Sequence, residues 1–128
     1  MIGYIIDNLE IKFINDEIGY GVFTNKKIKK NTIIENAYCI PIKISHKITP
    51  EIQKIVFLNR ETTPQIFLAL GYGSIYNHSD NPNMEKNIFW DEKFIKFTAI
   101  KDIEVGEQLT YSYGKQYWEG RNIKKILI

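Results

Sequence analysis

One cysteine, two histidines and two arginines are all that this 128-residue chain carries of those residue types. With Cys39 alone, an internal disulfide and a multi-cysteine zinc site are both excluded. His46 and His78 form no pair at a recognised ligand spacing, so no metal is expected. Nucleophilic hydrolysis has little support, because Gly71-Tyr72-Gly73-Ser74 is not a G-x-S-x-G elbow and Cys39 lacks a suitable neighbourhood. No apolar run approaches the roughly 18 residues of a spanning helix, and the N-terminus lacks the basic and apolar regions of a signal peptide. No membrane partner is expected, and the protein reads as intracellular. The Asn77-His78-Ser79 sequon then has no meaning as a glycosylation site. A net charge of +2, from lysines scattered along the chain, offers no basic block for direct contact with nucleic acid.

What remains is one domain's worth of chain, 44% hydrophobic and 25% charged, which is an ordinary globular balance. The first third reads as strands at Tyr4-Ile5-Ile6, Glu10-Ile11-Lys12-Phe13-Ile14 and Tyr20-Gly21-Val22-Phe23-Thr24. A turn at Lys29-Lys30-Asn31-Thr32, with Asn31 suited to a left-handed conformation, leads into a longer strand from Ile33 to Ile40, stopped by Pro41. The same turn-then-strand design returns at Ile103-Glu104-Val105-Gly106-Glu107-Gln108-Leu109. Thr49-Pro50-Glu51 has the chemistry of a helix start, which predicts a short helix to about Asn59, with a strand over Lys54 to Leu58 as the rival. Met84 to Phe89 and Lys93 to Ala99 form a hairpin across Trp90-Asp91-Glu92. Short strands, little helix and no βα alternation predict a mainly-β fold. The apolar end of the tail, residues 119–128, is expected to dock on the body or on a second subunit.

Candidate function concentrates in residues 70–83. Two glycines, Tyr72, Tyr76, His78 and three asparagines crowd around Pro82, directly after the apolar run Ile66-Phe67-Leu68-Ala69-Leu70. Such side chains make poor core and suggest a site. Near the C-terminus, Tyr111 and Tyr113 stand at i and i+2, so a strand would turn both phenols to one side. They could line an aromatic passage or pack in the core with their hydroxyls reaching out. Glu17-Ile18-Gly19-Tyr20-Gly21 has the start of a dinucleotide turn, but Thr24 stands where the third glycine would be, and a mainly-β chain cannot build a doubly wound sheet.

Taken together, three stretches resemble the SET-domain protein lysine methyltransferases. Gly19-Tyr20-Gly21-Val22-Phe23 is similar to the family's first motif. Tyr76-Asn77-His78-Ser79 with Pro82-Asn83 resembles its N-H-S-x-x-P-N motif, and Gly106-Glu107-Gln108-Leu109-Thr110-Tyr111-Ser112-Tyr113-Gly114 its G-E-E-L-T-x-D-Y-G motif. The resemblance spans residues 12–118 and treats 1–128 as a single SET domain. In compactness, and in the closing Tyr117-Trp118, it is most similar to the small stand-alone SET proteins of large DNA viruses.

It implies several short antiparallel sheets with a C-terminal pseudoknot, and S-adenosyl-L-methionine as methyl donor, leaving S-adenosyl-L-homocysteine, without a metal. It implies a protein substrate, most simply the histone H3 tail, reached in a host nucleus if the protein is viral and otherwise in the cytoplasm or after delivery to a host cell. Gly19, Tyr20 and Gly21 would meet the donor through their backbone, Asn77 its amino-acid end, the main chain at His78 the adenine, and Trp118 would stack on that ring. Tyr113 would be the catalytic tyrosine. Tyr111, beside it, would restrict the product to mono- or dimethyl-lysine, and Tyr72, Tyr76 and Tyr111 would line the substrate channel. Gln108, Ser112 and Asp80 depart from the family's usual glutamate, aspartate and cysteine. The family's zinc-binding cysteines after the domain are missing, which leaves the lid to the tail or to the partner in a homodimer.

Overall fold

The computed structural model describes residues 1–42, 51, 55–59 and 65–114. The described residues form nine strands with almost no helix: β1 (Leu9–Asn15), β2 (Gly19–Thr24), β3 (Ile33–Ile42), β4 (Val56–Asn59), β5 (Gln65–Ala69), β6 (Asn77–His78), β7 (Met84–Phe89), β8 (Phe94–Ala99) and β9 (Thr110–Tyr111). Three sheets result: β1-β2, a five-stranded sheet in the order β4-β5-β3-β8-β7, and the pair β6-β9. The β1-β2 pair and the five-stranded sheet are antiparallel, whereas β6 and β9 run parallel, with Asn77 opposite Thr110 and His78 opposite Tyr111. The predicted mainly-β class is what the chain adopts.

In β8 the pattern is strict alternation: Ile95, Phe97 and Ala99 point into the core and the residues between them are half-buried. The hairpin from β7 to β8 turns through Lys93 at φ 63°, and the turn before β3 uses Asn31 at φ 74°, as its sequence predicts. The two turn-then-strand segments meet directly, since Ile28 and Ile103 exchange both main-chain hydrogen bonds at 2.8 Å.

Two expectations are corrected. Pro41 does not stop β3, which continues to Ile42 with Pro41 opposite Phe67. Tyr38 accepts from Leu70 on the β5 side, whereas the Cys39 N–H donates to Lys93 on the other side. Pro41, two residues on, turns its nitrogen the same way as Cys39 and therefore removes no bond from the β5 ladder. The predicted helix to about Asn59 is also wrong over its last turn. Val56–Asn59 pairs with β5, because a β-branched and aromatic run next to an open sheet edge gains more from a ladder than from an isolated turn. Of the remainder of that segment only Glu51, which is helical, and Ile55, in a turn, are described; the tail at 119–128 and Trp118 lie outside the described residues.

The C-terminal segment is laced between two others. Leu109 donates to Val22, Thr24 donates to Glu107, and Gly106 donates back to Thr24, so residues 106–109 run along β2. Asn83 grips the other side: its amide donates to the Gln108 oxygen at 2.8 Å and accepts from Thr110 N–H at 2.9 Å. This buried asparagine thus acts as a piece of strand, and it brings the motif around Asn77 against the one around Tyr111.

Candidate active site

The turn after β5 is built around a charge. Glu35, near the start of the central strand β3 and 2% exposed, accepts from the Tyr76 hydroxyl at 2.7 Å and from Tyr72 N–H at 3.1 Å. Each carboxylate oxygen receives one donor, which is the arrangement of an ionised acid. Burial nevertheless pushes the Glu35 carboxyl above its ordinary value, and the two hydrogen bonds offset only part of that. Burial and the nearby carboxylate also push the Tyr76 phenol up. Gly71 and Gly73 are glycines for space. A Cβ on Gly71, at φ 63°, would run into the Glu35 carboxylate, and one on Gly73 would lie 2.7 Å from the Ala69 Cβ.

A raised carboxyl means that the folded state holds its proton more tightly than the unfolded chain. Stability therefore falls as pH rises from the ordinary value of 4.5 through the folded one. Glu35→Gln keeps the shape and removes this slope. Urea unfolding between pH 4.5 and 7.5 is expected to show the variant gaining on the wild type as pH rises; a constant difference would contradict a strained Glu35 charge.

Next along the chain, Tyr113 is held at both ends. Its hydroxyl donates to the Tyr76 main-chain oxygen at 2.9 Å, and its N–H donates to His78 Nδ1 at 3.0 Å. His78 Nδ1 is thus an acceptor, so Nε2 carries the hydrogen and donates to Asp80 Oδ1 at 2.9 Å. Both ring nitrogens of this buried histidine are committed, and it acts as a fastener rather than as a base. Tyr111 is 4% exposed, with its ring 5.1 Å from Tyr113, 5.4 Å from Phe97 and 6.3 Å from Phe57.

The third stretch joins through an amide. Asn77 Nδ2 donates to the Tyr20 oxygen at 3.1 Å and to Gln108 Oε1 at 2.7 Å. Two acceptors fix the amide's orientation and leave Oδ1 to accept from something else. Gly21 lies against this bridge: a Cβ there would meet Gln108 Oε1, and would lie 2.9 Å from both Asn77 Nδ2 and Ile14 Cδ1. Gly19 turns the chain at φ 84° with nothing within 4 Å of its Cβ position. Tyr20 is exposed, edge-on to Phe13 with ring centroids 5.4 Å apart.

Glycines that keep a backbone edge bare, an oriented asparagine and a fastened tyrosine pair thus meet where three distant stretches converge. Residues 19–114 match the SET domain. The chain belongs to the SET-domain family. Histone-lysine N-methyltransferase, H3 lysine-37 specific, of Schizosaccharomyces pombe is 34% identical over 55 residues, covering 40% of this chain. The match spans 35% of that relative's length. A solved structure of a candidate histone methyltransferase from Plasmodium falciparum superposes with a TM-score of 0.71 at 30% identity, over 89% of this chain and 99% of that one. A humanized mutant of the Chaetomium thermophilum Polycomb Repressive Complex 2, bound to the inhibitor GSK126, is similar in fold alone. Its TM-score is 0.64 at 22% identity, over 87% of this chain and 16% of that one.

Within this SET domain, Gly19, Tyr20, Gly21, Asn77, His78, Tyr111 and Tyr113 come together, while Trp118 lies outside the described residues. Tyr76 is placed differently from a channel wall: its side chain is in the core against Phe97 and Glu35, and its main-chain oxygen is what meets Tyr113. Tyr72 is half-buried and packs against the core, with its N–H on Glu35. Of the departures from the family pattern, Gln108 gives Asn77 an acceptor, Asp80 accepts from His78 Nε2–H, and Ser112 Oγ accepts from Gly114 N–H. Sequence reading missed Glu35 and Lys86, whose Nζ is 5.1 Å from the Tyr111 ring centroid. The only signal for Glu35 was a carboxylate inside a largely apolar strand.

Proposed function

We propose that this chain is an S-adenosylmethionine-dependent protein-lysine N-methyltransferase acting on a histone tail, most simply that of H3. The observation that carries the reading is the Tyr113 hydroxyl, held at the Tyr76 oxygen beside the Tyr111 ring and next in space to Asn77. The fission-yeast relative, named as an H3 methyltransferase, supports the choice of substrate. When bound, S-adenosylmethionine supplies a methyl group activated on a sulfonium. On this reading the backbone at Gly19, Tyr20 and Gly21 would admit the donor, and Asn77 Oδ1 would accept from its ammonium.

The chain's remaining task is to present a neutral amine. A free lysine has a pKa of about 10.4, so deprotonation at pH 7 costs roughly 4–5 kcal/mol. An aromatic site next to a sulfonium lowers that cost by desolvation and like-charge repulsion, while tyrosine faces tolerate the positive charge. The Tyr113 phenol and the Tyr76 oxygen align amine and methyl, so positioning supplies most of the rate. No general base is called for, in keeping with a His78 whose two nitrogens are already engaged.

The reading is tested by incubating the protein with labelled S-adenosylmethionine, purified histones and cell lysate. Label is expected on H3, and Asn77→Ala is expected to weaken donor binding by about tenfold or more, the loss of a hydrogen bond to a charged group. Label on non-histone bands alone would replace the histone substrate with another protein. No label anywhere would leave a SET-like module that only holds a peptide.

A further inference from the structure

Two half-buried side-chain amides meet beside Gly21, and one carbonyl fixes the orientation of both. The Tyr20 main-chain oxygen can only accept, so the Asn77 atom 3.1 Å from it is the nitrogen Nδ2. The second hydrogen of Nδ2 goes to the Gln108 amide at 2.7 Å, so the Gln108 atom there is the oxygen Oε1. What remains of the pair is an acceptor, Asn77 Oδ1, and a donor, Gln108 Nε2. Neither atom has a hydrogen-bond partner among the described residues. Neither is sealed from solvent, since Asn36 Oδ1 is the one buried, unpaired side-chain oxygen or nitrogen among those residues. The Gln108 backbone is pinned on both sides: its oxygen accepts from Asn83 Nδ2 at 2.8 Å, and the Leu109 N–H donates to Val22 at 2.8 Å. The side chain therefore leaves from a fixed point, with Oε1 in the space that a Cβ on Gly21 would take.

We propose that Gln108 is a second binding residue for the amino-acid end of the methyl donor: Nε2 donates to its carboxylate, while Asn77 Oδ1 accepts from its ammonium. The methyltransferase reading, on which this assignment rests, gives Asn77 and the Gly19–Gly21 backbone to the donor molecule and leaves Gln108 only the task of holding Asn77. An α-amino acid carries a cationic hydrogen-bond donor and an anionic acceptor on one carbon. Adjacent amides with one free acceptor and one free donor match it group for group. The glutamate usual in the family at this position could hold Asn77 equally well, but an ionised carboxylate cannot donate, and its charge would oppose the ligand's own carboxylate. Glutamine thus keeps the bridge to Asn77 and adds a donor. A site that reads both ends of the zwitterion discriminates against a ligand that has only the ammonium, because one hydrogen bond to a charged group is then missing.

The test measures, by calorimetry, the affinity for S-adenosylmethionine and for decarboxylated S-adenosylmethionine, which keeps the sulfonium and the ammonium and lacks only the carboxylate. The wild type is expected to prefer the intact donor by about tenfold or more, the worth of one hydrogen bond to a charged group. Gln108→Glu keeps an acceptor for Asn77 and exchanges the donor for a charge. It is expected to bind S-adenosylmethionine about tenfold to a hundredfold more weakly, and the decarboxylated form at least as well as the wild type does. Gln108→Met, of similar length and uncharged, separates the lost donor from the added charge. It is expected to bind both ligands more weakly, because Asn77 loses its acceptor, and to lose the preference between them. A wild type without the preference, an equal loss of both ligands in Gln108→Glu, or a preference that survives Gln108→Met overturns the assignment and leaves the methyltransferase reading standing. A wild type that binds neither ligand removes that reading and the assignment with it.

Discussion

Replacing Tyr113 with phenylalanine is expected to slow methyl transfer by about 10²–10³-fold, the usual cost of removing one pre-positioned hydroxyl from a reacting centre. The substitution takes away a single oxygen. The ring keeps its neighbours Tyr111 and His78, and the N–H keeps its bond to His78 Nδ1. Global stability is therefore expected to fall by only about 1 kcal/mol, for one hydrogen bond to the Tyr76 oxygen. Donor affinity is expected to change little, since Asn77 and the Gly19–Gly21 backbone are untouched. Single-turnover rates on H3, with donor binding measured by calorimetry, separate these effects. A rate within threefold of the wild type would remove Tyr113 from the chemistry. A rate loss matched by a loss of donor binding would make it a binding residue instead.

The contrast between Tyr113 and Tyr76 marks how far the sequence could be read. Local patterns were legible: Tyr111 and Tyr113 at i and i+2 turn their rings to one another, and Asn31 takes its left-handed turn. Asn77, Tyr20 and Gln108 lie far apart in the chain, and only the order of three motifs announced that they meet. What was hidden depends on register. A β-bulge between Ile33 and Glu35 adds one residue to β3 opposite β8, so simple alternation no longer says which way Glu35 faces. With Glu35 unplaced, nothing in the sequence turned the Tyr76 hydroxyl inward, and it read as a channel wall. The strand at β4, expected only as the rival of a helix, was ranked second for a different reason. Ile55 and Val56 satisfy a helical face as well as a strand, and only the β5 edge decides between them.

Gly71→Ala is expected to cost about 3–5 kcal/mol, a large share of the 5–15 kcal/mol that holds a domain of this size. Two terms add. A non-glycine residue at φ 63° bears roughly 1–2 kcal/mol of backbone strain. The new Cβ would also press on the Glu35 carboxylate, which cannot yield freely because each oxygen holds a donor, Tyr76 hydroxyl on one and Tyr72 N–H on the other. Displacing the acid forfeits part of two hydrogen bonds to a buried charge, about 1.5–3 kcal/mol each when lost outright. Gly106 supplies the comparison: its φ is 89°, and nothing lies within 4 Å of its Cβ position, so Gly106→Ala carries the backbone term alone. Urea unfolding of the two variants at one pH measures the difference. Glu35→Ala alone destabilises, but in its background the cost of Gly71→Ala is expected to drop to the Gly106→Ala level, since the obstructing carboxylate is gone. Equal costs for Gly71→Ala and Gly106→Ala in the wild-type background would mean that the carboxylate yields, and that Glu35 does not fix the turn ending at Tyr76. The Tyr113 hydroxyl would then take its position from the strand pairing of β6 with β9 alone.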